Sequence, residues 1–257
     1  MFKNTIFRRM TALVLTLALA AAAALPGLAV YPMPIQTASE TEAVYLFNAD
    51  TGKTILNQNA DQQQYVASLT KLMTALLLLE SGKDLNGEVT VPTDLTQEFK
   101  DIQNANGTTM GLRIGETVRR IDLLNALLIT SANDAASVIA WDVGGSLNAF
   151  IQQMNARAAE LGCTSATFTC AHGLYDYGNV ASAEDMAKIA AACAANETFA
   201  QVAGSTTYTL GQTNFHSEQR TISSSNPLMD ASGAYYKDSV KWVKGGFTTL
   251  AGRCAVA

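Results

Sequence analysis

The stretch Ala67-Ser68-Leu69-Thr70-Lys71-Leu72-Met73-Thr74-Ala75-Leu76-Leu77-Leu78-Leu79 decides the reading of this chain. A serine hydroxyl is a weak nucleophile until a base takes its proton. Ser68 and Lys71 lie three residues apart, and side chains at that spacing share one face of a helix. From Leu69 to Leu79 only Thr70, Lys71 and Thr74 are polar. A helix apolar on nearly every face is a buried one, and this run is too short to span a bilayer. The stretch therefore predicts a central helix with Ser68 at its N-terminal end, where the helix dipole favours developing negative charge. A lysine in so dry a setting has its pKa lowered and can serve as the base. Taken alone, S-x-x-K also fits an N-cap serine and a lysine snorkelling to the surface, although little of this segment is left to face water.

Two further motifs follow in order. Ser131-Ala132-Asn133 comes after the apolar Leu127-Leu128-Ile129 and opens another apolar run, Ala135 to Trp141, so a short turn is delivered against a core. S-x-N also occurs at Ser146, which reads as a helix cap, and at Ser224, in a polar loop run. Lys244-Gly245-Gly246 alone is only a turn after a strand. The weight lies in the three together, in this order and in these contexts.

Composition bounds the alternatives. The chain has 257 residues, 48% hydrophobic and 15% charged, which suits one globular domain or one domain in two lobes. The net charge is −5 and no basic run exists beyond Lys3, Arg8 and Arg9, so nucleic acid is not an expected partner. The two histidines, His172 and His216, are far apart, and no His/Cys/Asp/Glu cluster has metal-ligand spacing. Neither a metal nor another cofactor is expected; G-x-G-x-x-G and P-loop motifs are missing.

Residues 1–29 read as an export signal: basic Lys3, Arg8 and Arg9, an apolar run from Met10 to Ala24, then Pro26 and the small residues of Gly27-Leu28-Ala29. An uncleaved membrane anchor over Met10 to Val30 is the other reading. Either puts the remainder outside the cytoplasm. Residues 30–41 read as a linker and 42–257 as the catalytic domain. Four cysteines, Cys163, Cys170, Cys193 and Cys254, permit disulfides in that compartment. Cys163 and Cys170 could close a small loop; buried free thiols are the simpler reading for a domain of this size.

The fold class expected is α+β. Ala43 to Phe47 and Lys53 to Leu56 flank a turn-rich Asn48-Ala49-Asp50-Thr51-Gly52, a hairpin signal. Residues 84–116 are polar and irregular. Val118 to Ile129 has helical spacing, and Ser146 caps a helix that Gly162 ends. Ser182-Ala183-Glu184-Asp185 resembles a capping box. Thr206 to Leu210 and Ser239 to Val243 read as strands. Hairpin, helices, then strands predicts one antiparallel sheet built from both chain ends, flanked by helices, with a mainly helical lobe inserted. The strand-like end at Cys254-Ala255-Val256-Ala257 suggests that the C-terminal part of the sheet is incomplete.

The motifs carry a resemblance. S-x-x-K with S-D-N and K-T-G is the signature of penicillin-recognising enzymes. Ala67 to Ala75, Ser131 to Ala136, Phe168 with His172-Gly173-Leu174, Asn226-Pro227-Leu228, and Val243 to Thr248 with Ala251-Gly252 resemble the D-alanyl-D-alanine carboxypeptidases, low-molecular-weight penicillin-binding proteins of the S11 peptidase family. The resemblance implies a β-lactamase/transpeptidase-like fold and removal of the terminal D-alanine from peptidoglycan stem peptides, with β-lactams as inhibitors. It implies that Ser68 forms an acyl-enzyme, Lys71 takes its proton and Ser131 relays a proton to the leaving amine. Asn133, Lys244, Gly245, Gly246 and Phe247 would contact substrate, with the backbone N–H groups of Ser68 and Phe247 as oxyanion donors. His172 reads as structural.

This chain departs from the family pattern in two ways. Gly245 stands where the family usually has threonine, so a hydroxyl for a substrate carboxylate is missing, a loss of about 1.5–3 kcal/mol. Family members also continue past this point, with another sheet strand, often a second β-rich domain and a C-terminal amphipathic membrane anchor. The rival chemistries are a DD-endopeptidase using the same residues and a class A-like β-lactamase, for whose water-activating glutamate Glu160 and Glu184 are candidates. A truncated, non-catalytic binder of peptidoglycan or β-lactam is the rival outside catalysis.

Overall fold

The computed structural model describes residues 41–174 and 178–257, so the expected export signal and all but the last residue of the expected linker lie outside the described residues. The described residues belong to one compact unit, Ser39–Ala257. It opens with the expected hairpin. β1 (Val44–Phe47) pairs antiparallel with β2 (Thr54–Gln58), Tyr45 facing Asn57. Asn48 builds the turn: its carbonyl accepts from Gly52 N–H (2.8 Å) and its side-chain oxygen from Thr51 N–H (2.9 Å). Gly52 has φ +67°, which glycine adopts without steric cost.

β3 (Gln64–Tyr65) leads into a tight 3-10 turn, Ala67–Thr70, which runs directly into the helix Lys71–Glu80. The predicted central helix is therefore real, but its first turn is wound tighter. Neither Val66 nor Thr70, the residues at the cap positions, makes a side-chain cap bond, and Ser68 does not cap the helix. Leu72, Met73, Ala75, Leu76 and Leu78 are buried on it; a fully buried leucine contributes about 2 kcal/mol. Lys71 has no exposed surface at all, so it does not snorkel.

The helices Arg120–Ile129, Asn133–Gly144, Leu147–Glu160, Ala183–Ala194 and Glu197–Ala203 pack around that helix. Ser146 caps its helix as expected, accepting from Ala149 N–H at 3.2 Å, and Gly162 beyond the far end has φ +74°. Ser182 also caps, accepting from Asp185 N–H at 3.1 Å. The capping box is only half formed, because the Asp185 carboxylate turns away to the N–H groups of Thr164 (3.1 Å) and Ser165 (2.9 Å).

Several boundaries differ from expectation. Val118 belongs to β5 (Thr117–Arg119), paired with β4 (Glu88–Thr90), and the helix begins at Arg120. The stretch read as irregular holds β4 and a helix, Thr96–Asn104. That helix carries only Phe99 and Ile102 as large apolar residues, too few for a periodic signal. β6 (Val180–Ala181) pairs with β3. β7 (Thr207–Leu210) pairs with β8 (Arg220–Ser223), whose Arg-Thr-Ile-Ser lacks an alternating apolar pattern. The last strands are β9 (Lys244–Thr248) and β10 (Gly252–Val256). Residues 239–243, read as a strand, only lead into β9; Trp242 is buried there edge-on against Phe199, with ring centroids 5.1 Å apart.

The single sheet expected from both chain ends is not formed among the described residues. The strands pair only two by two, β1 with β2 and β9 with β10. β1 and β10 both contact the helix Ala183–Ala194, but each ladder stops at its hairpin partner. Cys163, Cys170, Cys193 and Cys254 are all free thiols in the structure, and Cys163 and Cys170 are not bridged. No helix among the described residues is long and apolar enough to cross a membrane.

One glycine ties the helical core to the 3-10 turn. Gly173 has φ +76°, and a Cβ there would lie 1.8 Å from the Ala67 carbonyl oxygen. Replacement Gly173→Ala combines a strained backbone with a clash that no rotamer relieves. It should destabilise the fold by about 3 kcal/mol or more, read as a lowered midpoint in urea. A midpoint equal to wild type would contradict this packing.

Candidate active site

The site starts from strained backbone. Ala67, the residue before Ser68, has φ +46°, and Ser131 has φ +61°. Neither is glycine, and each such conformation costs of order 1–3 kcal/mol, so the surroundings must hold it. The Ala67 carbonyl accepts from Thr70 Oγ1 (2.8 Å), and Asn179 Nδ2 donates to that same oxygen of Thr70 (2.7 Å). Behind them sits Gly173. Ser68 is left half-buried at the surface of this turn.

Lys71 lies one turn inward. Its Nζ is 3.1 Å from Ser68 Oγ, 2.7 Å from Asn133 Oδ1 and 2.7 Å from the carbonyl oxygen of His172. Burial first, and the nearby charge of Lys244 second, push the Lys71 ammonium well below its ordinary pKa; Cys170 and Asp134 oppose them. Asn133 begins the helix that follows Ser131, and its amide orientation is fixed. Nδ2 donates to the Thr108 carbonyl at 3.0 Å, which leaves Oδ1 for Lys71. Beside it the Asp134 carboxylate accepts N–H groups from Met110, Gly111 and Leu112, each at 3.0 Å, and from Ala135 at 2.9 Å. Burial raises the Asp134 pKa and these four donors oppose it. The loop 108–112 is thereby pinned against the site.

From the other side comes β9. Lys244 Nζ donates to Ser131 Oγ at 2.9 Å and to the Gly245 carbonyl at 2.7 Å. Burial lowers its pKa to about 8. Gly246 is where the strand crosses the Ser68 turn: a Cβ there would lie 2.9 Å from Ser68 N and 3.2 Å from Ala67 Cβ. Only glycine lets the strand approach so closely. Gly245 is different, since a Cβ there would meet nothing nearer than the Cys254 carbonyl oxygen at 3.9 Å. Phe247 is 66% exposed, its ring 5.7 Å from the Arg253 guanidinium.

Ser68, Lys71, Ser131, Asn133, Lys244 and Gly246 thus converge, from three separate parts of the chain. Gly245 and Phe247 flank them on the outer face of β9. His172 contributes its carbonyl rather than its ring. Leu174 N–H donates to His172 Nδ1 (3.0 Å), so Nε2 carries the proton of the neutral ring and donates to Glu98 Oε1 (2.9 Å). Ser137 Oγ donates to the same Glu98 oxygen at 3.0 Å. The His172 hydrogen bond holds Glu98 below the ordinary carboxylate range. Sequence reasoning gave no part to Glu98, Asp134, Thr70 or Asn179. Asp134 adjoins the Ser131 motif and could have been asked what it binds; the other three carry no local signal.

The glutamates considered as water activators are engaged elsewhere. Glu160 pairs with Arg157 at 3.0 Å and is 65% exposed; Glu184 pairs with Lys188 at 3.2 Å.

This architecture is that of the DD-transpeptidases and DD-carboxypeptidases of the penicillin-binding/β-lactamase fold. A mutant of the Streptomyces K15 DD-transpeptidase superposes with TM-score 0.73 and 27% identity, covering 81% of each chain. A D-alanyl-D-alanine carboxypeptidase from Mycobacterium tuberculosis superposes with TM-score 0.71 and 26% identity, covering 82% of this chain and 74% of that one. The chain belongs to the D-alanyl-D-alanine carboxypeptidase family, peptidase family S11, whose sequence model matches residues 32–257. It is 32% identical to the D-alanyl-D-alanine carboxypeptidase DacF of Bacillus subtilis over 60% of this chain and 39% of that protein. It is also 28% identical to a D-alanyl-D-alanine endopeptidase of Escherichia coli over 86% of this chain and 68% of that protein.

The open space at Gly245 makes a specific prediction. Gly245→Thr should fit without rearrangement and restore a hydroxyl on the outer edge of β9. Acylation by benzylpenicillin should then accelerate about tenfold to a hundredfold, the equivalent of one hydrogen bond to a charged group. An unchanged stopped-flow rate would show that the missing hydroxyl does not limit this site.

Proposed function

We propose that the protein is an exported serine-type D-Ala-D-Ala carboxypeptidase that removes the terminal D-alanine of peptidoglycan stem peptides and is acylated by β-lactams. The observation that carries this reading is the setting of Lys71 Nζ. Two of its three partners, Asn133 Oδ1 and the His172 carbonyl, can only accept hydrogen bonds. A neutral amine has two N–H groups for them, and its lone pair is left facing Ser68 Oγ at 3.1 Å.

In the proposed reaction Lys71 takes the Ser68 proton as Oγ attacks the carbonyl between the two D-alanines. The backbone N–H groups of Ser68 and Phe247 stabilise the oxyanion. The proton passes through Ser131, held by Lys244, to the leaving amine of the terminal D-alanine. Asn133 contacts the substrate and orients Lys71. The Lys244 charge attracts the substrate carboxylate, and Gly246 lets β9 lie close against the Ser68 turn. Water then hydrolyses the ester, freeing Ser68.

A second reading, DD-endopeptidase action on cross-links, draws on the Escherichia coli relative, which is matched over more of this chain than DacF is. It uses the same residues and differs only in the acceptor side of the substrate. The surface engagement of Glu160 and Glu184 weighs against a β-lactamase. Release of D-alanine from a pentapeptide would eliminate a non-catalytic binder, and release only from cross-linked dimers would select the endopeptidase.

Intact mass after exposure to benzylpenicillin should show one stable adduct on wild type and none on Ser68→Ala. An adduct on both proteins would remove Ser68 as nucleophile. The same spectrum reads the N-terminus of exported protein: loss of residues 1–29 supports a cleaved signal, and their retention an anchor. The pH profile is set by two lysines of opposite duty. Lys71 works neutral, and Lys244 works charged. Because Lys244 titrates at about 8, kcat/KM should fall as pH rises through about 8. Lys244→Arg, which stays charged, should lose that alkaline limb; an identical limb would assign it to another group.

A further inference from the structure

Behind Lys71 lies a group of residues that the proposed reaction does not use. A cavity of about 380 Å³ is lined by Glu98, Thr169, Cys170 and His172 among others. Cys170 is partly exposed there. The four thiols of this protein fall into two kinds by geometry. Cys163 donates to the Asp185 carbonyl (3.6 Å), Cys193 to the Leu72 carbonyl (3.4 Å) and Cys254 to the Tyr65 and Ala251 carbonyls (3.7 Å each). Those bonds need the S–H proton. Cys170 instead accepts, from Gly173 N–H at 3.2 Å, an arrangement that suits a thiolate. The His172 ring adjoins it, itself bonded to Glu98.

The same short segment holds the site together. The Ala171 carbonyl accepts from Thr74 Oγ1 at 2.6 Å, the His172 carbonyl from Lys71 Nζ at 2.7 Å, and Gly173 presses on the Ala67 carbonyl. A change at the Cys170 sulfur that displaces Gly173 N–H therefore acts on the backbone that holds both Lys71 and the Ser68 turn.

We propose that Cys170 is a modification site: a thiol that peroxides and soft electrophiles reach from this cavity, and whose modification slows acylation of Ser68. With a peroxide, the sulfur attacks one oxygen, an S–O bond forms and the O–O bond breaks. Sulfur loses two electrons to become a sulfenic acid, and the leaving hydroxide takes a proton as water. With iodoacetamide, an S–C bond forms and iodide leaves. The titratable groups facing the sulfur act in two directions. Burial pulls the His172 ring down, but Cys170 and Glu98 outweigh it and raise it to about 8. The doubly protonated ring, which gives up the bond from Leu174 N–H, favours the thiolate, whereas Lys71, neutral in the proposed reaction, adds no charge. Glu98 and Asp101, also on the cavity wall, disfavour it. The net direction for Cys170 is downward despite burial, whereas burial raises Cys163 to about 11 and raises Cys193 and Cys254 as well.

The slowing of acylation rests on the carboxypeptidase reading; the reactivity of the thiol does not. The test is therefore in two arms on the full chain. In the first, folded protein is treated with limiting iodoacetamide and mapped by peptide mass. Cys170 should be labelled at least about tenfold faster than each other cysteine. Equal or slower labelling, or none, overturns the proposal. In the second, benzylpenicillin acylation is timed before and after hydrogen peroxide. Wild type should slow at least about tenfold, the scale of a displaced catalytic group. Cys170→Ser, or Cys170→Ala if the serine protein melts early, should keep the untreated rate and lose the peroxide effect. Oxidised Cys170 with an unchanged rate overturns the coupling. If untreated protein takes no penicillin, the carboxypeptidase reading fails, and the labelling arm still decides the thiol.

Discussion

Everything in this protein's site depends on one burial: the Lys71 amine, with no exposed surface, between two carbonyl-type oxygens and the Ser68 hydroxyl. A buried ammonium without a carboxylate partner costs several kcal/mol, and a second buried cation, Lys244, adds to that cost. Both effects favour losing the proton. The energy that keeps Lys71 in place comes from the surrounding core, where Leu72, Met73, Leu123, Leu124 and Ile139 are all buried completely. The apolar helix is thus more than a scaffold, because its dryness sets the charge of the one amine it encloses.

A second constraint follows from the first. A neutral amine directs its lone pair only if its other partners are fixed, and here they are fixed by backbone. Asn133 is anchored through Thr108, and His172 through Glu98 and the Leu174 N–H. Positive φ at Ala67 and Ser131 aims the two serines, and Gly173 and Gly246 allow backbone to press against the Ser68 turn. Strain and close approach gather where Ser68 stands, held by hydrogen bonds such as those of Thr70 and Asn179.

Parts of this were legible in the sequence, for physical reasons. The run Leu69–Leu79 announced burial because no polar face was available, and Ser146 and Ser182 announced helix starts because short hydroxyl side chains suit caps. The family resemblance named Ser131 and Lys244; no periodicity would have joined residues more than a hundred positions apart. What stayed hidden was non-local. Asp185 abandons its capping box for Thr164 and Ser165, and Glu98 finds His172 across the core. β8 and the Thr96–Asn104 helix show too little apolar pattern to be seen. Strand pairing was over-read, since β1 and β10 share a helix without sharing a ladder. Cys170 had no distinguishing context in sequence; only the Gly173 N–H and the His172 ring set it apart.

The central claim is the charge of Lys71, and it can be measured directly. Protein carrying 13C-labelled lysine side chains would be titrated by NMR, with Lys71 assigned through the conservative variant Lys71→Arg. The account predicts that the Lys71 resonance reports a neutral amine at neutral pH, and that Lys244→Met moves its midpoint upward by removing a neighbouring positive charge. A Lys71 midpoint near that of an exposed lysine, about 10.4, unmoved by Lys244→Met, would contradict it.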